Sequence, residues 1–109
     1  MIDAKTIITF DANHDSKLRD FSRKGINFCN NFIKEKILFL GFKLAIHDNS
    51  PFDERYKNSP NIGIIKFKIR KDNEMKKIET IFKENDVKIL ENKKENDIVY
   101  FVIDCLTIK

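Results

Sequence analysis

The side chains in this sequence that could ionise, ligate or stack are few, and they are scattered. Two histidines are present, His14 and His47. His14 stands in Asp11-Ala12-Asn13-His14-Asp15-Ser16, where nearby carboxylates suggest a small metal site or an acid–base pair. The same residue types cap helices and close turns, and capping is the favoured reading of the cluster. Cys29 and Cys105 are far apart, without Cys-x-x-Cys spacing or a neighbouring His, so neither a zinc nor a redox pattern is present. They read as small buried hydrophobes, one on a helix and one on a strand. A Gly-rich phosphate loop, a Gly-x-Ser-x-Gly elbow and a His-Glu-x-x-His helix are all absent. No catalytic residue, metal or cofactor is therefore expected, and a binding module is favoured over an enzyme.

The most informative surface chemistry is basic. In Ile62-Gly63-Ile64-Ile65-Lys66-Phe67-Lys68-Ile69-Arg70 the later half alternates, which assigns Ile65, Phe67 and Ile69 to a core and Lys66, Lys68 and Arg70 to the opposite face. By the same parity Lys5 and Thr9, Lys43 and His47, and Tyr100 join that face from other strands. Such a surface could hold phosphates by charge and a base by stacking on Tyr100. The aromatic signature of an RNA-recognition motif is missing, because Phe67 belongs to the core. A solvated face whose lysines protect the sheet from aggregation fits the same residues. A second candidate is the loop over 49–60, where Phe52, Arg55 and Tyr56 resemble the anchors of a protein-binding surface.

These residues need elements to position them. Ala4 to Phe10 reads as a strand, followed by a helix in which Leu18, Phe21, Cys29, Phe32, Ile33, Ile37 and Leu40 recur at helical spacing. Gly25 is a weak point within it, and Gly41 sits where a C-terminal cap would close it. Lys43 to His47 reads as a second strand, 48–61 as a long loop and 62–70 as a third strand. Asp72 is the candidate cap of a second helix with Met75, Ile78, Ile81 and Phe82 buried. Val87 to Leu90, a polar turn over 92–97 and a strand from Ile98 to Leu106 form a hairpin. The expected class is α+β: a ferredoxin-like split β-α-β plait, an antiparallel sheet with two helices on one face and a C-terminal β-hairpin. Leu18, Phe21, Phe32, Ile37, Ile65, Phe67, Ile78, Phe82 and Phe101 are the expected core.

Two resemblances attach to this pattern. Asp11, at the end of the first strand, resembles the aspartate of CRISPR-associated ferredoxin-like nucleases, whose paired aspartates hold a divalent metal across a dimer; only Asp11 matches. The order of elements from Gly41 to Asp86 is similar to that of the small C-terminal domain of fold-type I pyridoxal-phosphate enzymes, which implies a fold and no activity.

With 109 residues, 41% hydrophobic and 35% charged, the chain is too apolar for disorder and too charged for a membrane protein, and one domain over 1–109 is expected. No secretory signal is read at Met1-Ile2-Asp3-Ala4-Lys5, so the expected location is cytoplasmic. A net charge of +4 favours acidic partners, nucleic acid among them, without requiring one. A protein partner is the alternative, and the sheet edges leave room for a homodimer.

Overall fold

The computed structural model describes residues 16–47, 53–56 and 58–109. In chain order these form α1 (Ser16–Lys34), β1 (Leu38–Leu44), a 3-10 turn at Ala45–His47 and the one-turn helix α2 (Asp53–Tyr56). There follow β2 (Ile62–Lys68), α3 (Asp72–Glu84), β3 (Ile89–Glu95), β4 (Ile98–Asp104) and a second 3-10 turn at Cys105–Thr107. The four strands pair antiparallel in the order β1-β2-β4-β3. The architecture is α+β, with a C-terminal β3–β4 hairpin.

Both long helices cover one face of this sheet. Phe32 of α1 and Phe82 of α3 meet at 5.2 Å between ring centroids, while Phe32 lies 4.6 Å from Phe67 of β2 and Phe82 lies 5.0 Å from Phe101 of β4. Phe32, Ile37, Ile65, Phe67, Ile78, Phe82 and Phe101 are all buried, and Phe21 is partly buried against them. Leu18 lies outside the described side chains. In a ferredoxin-like plait the leading strand would sit beside the third; here β2 has β1 on one side and β4 on the other, so β4 fills that slot. The strand expected over 4–10 lies outside the described residues.

The first helix is shorter than its periodicity implies. It ends at Lys34, and Lys36 takes a left-handed conformation at φ 60°. The N–H of Lys36 then donates to the carbonyl of Ile33 at 3.0 Å, and that of Ile37 reaches back to Phe32 at 3.1 Å. This closes the last turn and swings Ile37 into the core. The end of α3 repeats the device with Asp86 at φ 55°, the Val87 N–H on the Phe82 carbonyl at 3.1 Å, and Val87 buried. Ile37 and Leu40 are therefore not helical. Gly41, at φ 154°, sits at a bulge in β1, where the register to β2 shifts between Phe39 and Gly41. The second strand accordingly runs over Leu38–Leu44, and Ala45 to His47 follow it as a turn.

Gly25 does not break α1. It brings the helix close to the sheet, because a Cβ there would lie 2.2 Å from the Phe42 ring, and one at Gly63 would lie 2.6 Å from the same ring. Phe42 is seated between two glycines.

Candidate nucleic-acid interface

The face of the sheet away from α1 and α3 is read from the register. One row across the strands holds Gly41, Lys66, Tyr100 and Lys93. On one side of it lies the row Leu38, Lys68, Ile98 and Glu95, and on the other the row Lys43, Ile64, Val102 and Glu91. With strands about 4.8 Å apart, each row spans about 14 Å. Lys66, Lys68, Lys43 and Tyr100 thus share a face, as their alternation implies.

Only part of that face is open. Ala45, Ile62, Ile64 and Val102 form a second buried cluster, on which Tyr56, Leu90 and Tyr100 pack. α2 is held there by one carboxylate: the Tyr56 hydroxyl donates to Glu91 at 2.5 Å, and the Arg55 guanidinium donates to its other oxygen at 3.0 Å. Desolvation, together with the hydrogen bond to Glu91 and its charge, raises the Tyr56 pKa against the opposing effect of Arg55, so the phenol stays a donor. Arg55 and Tyr56, the candidate partner anchors, are turned onto the domain itself, and Phe52 lies outside the described residues. The rows of Lys66 and Lys68 lie at the foot of the step that α2 makes.

Lys66 places its ammonium over the Tyr100 ring, 5.6 Å from the centroid. Both residues are half-buried, where such a contact is worth about 1 kcal/mol, small enough for a phosphate to draw the ammonium away. Lys68 pairs with Asp97 at 3.6 Å and Lys93 with Glu95 at 2.9 Å. Exposed pairs of this kind contribute about 0–1 kcal/mol and are screened by salt, so they yield to a better anion.

Arg70 does not belong to the stripe. β2 ends at Lys68, and the Arg70 guanidinium turns to the Lys36 carbonyl and to Glu74, 3.2 Å away. The Glu74 carboxylate, nearly fully buried, also accepts the N–H groups of Arg70 at 2.6 Å and Lys71 at 3.1 Å. Burial by itself raises the Glu74 pKa, but these hydrogen bonds and the guanidinium charge together outweigh it and hold the carboxyl below its ordinary value. Lys71 occupies the cap position of α3 and Glu74 reaches back to it, so Asp72 is the first helical residue and not the cap.

Lys5, Asp11, His14 and Asp15 lie outside the described residues. His47 stands in the turn after β1. Lys93, read from the sequence as a turn residue, stands beside Tyr100 because β3 continues to Glu95 and the turn shrinks to Asn96-Asp97. The sequence signal for it was Asn96, which takes φ 57° at that turn.

Among the described residues no group of three or more His, Cys, Asp or Glu is arranged to hold a metal ion. Cys29 and Cys105 are free thiols with no exposed surface; burial pushes both up, Cys105 to about 12 with help from the Asp104 charge. Among the described residues, clefts away from this face include one of about 350 Å³ between α1 and the end of α3 and one of about 420 Å³ around Arg70 and Glu74. The second is occupied with closing its own helix end. No described helix is long and apolar enough to cross a membrane. No protein-family model matches this sequence, and neither the curated proteins nor the solved structures contain a match to it.

Proposed function

We propose that this chain is a small non-enzymatic binding or regulatory module that acts through the basic part of its open sheet face on nucleic acid or on a nucleic-acid-associated protein. The observation that carries the reading is the row Lys66, Tyr100 and Lys93, with Lys43 and Lys68 on the adjoining rows. A lysine over an aromatic ring with further lysines on the same face suits a polyanion with planar groups, and of the nearby carboxylates Asp97 and Glu95 sit in exposed ion pairs while Glu91 holds Arg55 and Tyr56.

The test is a binding titration at rising salt, because each neutralised phosphate releases counterions and the affinity must fall steeply. The triple variant Lys43→Glu, Lys66→Glu and Lys68→Glu reverses the face without touching the core. Arg70 is left in place, since its loss would strand the buried Glu74. The expected result is loss of binding with an unchanged circular dichroism spectrum. If the wild-type protein shows no salt-sensitive affinity for single- or double-stranded oligonucleotides at low micromolar concentration, the nucleic-acid reading is wrong. Docking of a protein by the 49–60 loop would then be tested with Phe52→Ala, and the nuclease reading with Asp11→Ala and a divalent metal.

A further inference from the structure

We infer that the nucleic acid taken by this face is single-stranded, with one base stacked on Tyr100 in the place now held by the Lys66 ammonium. The inference rests on the proposed function and names its substrate class. Tyr100 is the aromatic of the central row, flanked by Lys66 on β2 and Lys93 on β3. The residue packs against the cluster of Ala45, Ile62, Ile64 and Val102, which holds it against the sheet. A fixed aromatic ring that is in contact with a cation and flanked by a second is the arrangement single strands use: the base stacks and the adjoining phosphates take the charges.

A duplex cannot use it. Its bases are stacked inside, so only backbone would face Tyr100, and the ring would contribute nothing. α2, clamped by Glu91 through Tyr56 and Arg55, covers the cluster of Ile62, Ile64 and Val102 on one side of the basic rows. A flexible single strand can follow those rows, with its phosphates on Lys43, Lys66, Lys68 and Lys93 and an unpaired base turned inward. When the base arrives, Lys66 exchanges the face of the ring for a phosphate, so the existing cation–π contact is replaced and not merely lost.

The sequence contains two tyrosines and no tryptophan, so quenching that the wild-type chain shows and Tyr100→Phe does not belongs to Tyr100. Both proteins, with the Tyr56 clamp intact, are titrated with a short oligouridylate and with the same strand in a duplex with oligoadenylate. The single strand should quench Tyr100 emission in a saturable, salt-sensitive way and bind tighter than the duplex. In the otherwise wild-type chain, Tyr100→Leu should weaken single-strand binding about tenfold or more, while Tyr100→Phe, which keeps the ring, should retain it. Equal binding of both strand forms without quenching, or an unchanged affinity in Tyr100→Leu, would overturn the stacking inference and leave the basic-face reading standing. Absence of salt-sensitive binding to either form removes both.

Discussion

Phe42 and the two glycines around it show how single residues set the packing of this fold. Alanine is the better helix former by about 1 kcal/mol, so Gly25→Ala would stabilise a free helix. Here the new methyl would meet the Phe42 ring at 2.2 Å, with Gly63 against the far part of the same side chain. Overpacking of that kind costs about 1–3 kcal/mol, which outweighs the gain in propensity. We therefore expect Gly25→Ala to lower stability in chemical denaturation. Adding Phe42→Leu should make the alanine markedly less harmful than it is alone, a coupling that a double-mutant cycle measures directly.

Among the elements, α3 depends most on a charge. Glu74 joins three donors from Arg70 and Lys71, and Arg70 in turn binds the Lys36 carbonyl beyond the end of α1, so one carboxylate ties the start of one helix to the end of the other. A hydrogen bond to a charged group contributes about 1.5–3 kcal/mol, and Glu74→Gln should cost about that much near neutral pH. Because the folded carboxyl has a lowered pKa, its contribution is present above the ordinary value of 4.5 and is lost as pH falls through the folded value. The difference in unfolding free energy between wild type and Glu74→Gln should accordingly shrink on acidification below pH 4.5. A constant difference would show that shape and not charge matters there. β1 and β3, the outer strands of the described sheet, each carry a register shift, at Phe39/Gly41 and Ile89/Glu91, and such bulges hinder pairing with a further strand.

At the scale of the whole molecule, the two thiols report on the core. Cys29 lies in α1 and Cys105 follows β4, and both are fully covered by the sheet–helix packing. Thiolate is the reactive form, and burial suppresses it in both. Thiol reagents should therefore label the native protein slowly at neutral pH and rapidly once denaturant opens the core, with the two cysteines labelled together. The linkage to stability has the opposite sense from that of Glu74. Folded thiols with raised pKa values keep protons that the unfolded chain releases above the ordinary 9.0, so stability should decline as pH rises past that value toward about 12. Flat stability across alkaline pH would contradict the burial of these groups.

What the sequence determined by itself was everything carried by local alternation and apolar spacing. The core side chains Phe32, Ile65, Phe67, Ile78, Phe82 and Phe101, and the outward parity of Lys66, Lys68 and Tyr100, follow from periods of 3.6 and 2 that hold wherever one face must leave water. Tertiary structure decided what depends on partners far along the chain. Ile37 fits the helical period of α1, but the bond from its N–H to Phe32 closes that helix early, and the spacing shared by Phe32 with Ile37 and Phe82 with Val87 was the signal for it. Gly25 and Gly41 look alike as helix interrupters, yet one stays inside α1 and makes room for the Phe42 ring of β1, and the other serves a bulge. Arg70 continues the alternation of Lys66 and Lys68 in sequence, but a buried carboxylate draws it off the face. The position of Lys93 beside Tyr100 required β4 to pair on both sides, because a polar edge segment becomes a strand only when its neighbour supplies the hydrogen bonds.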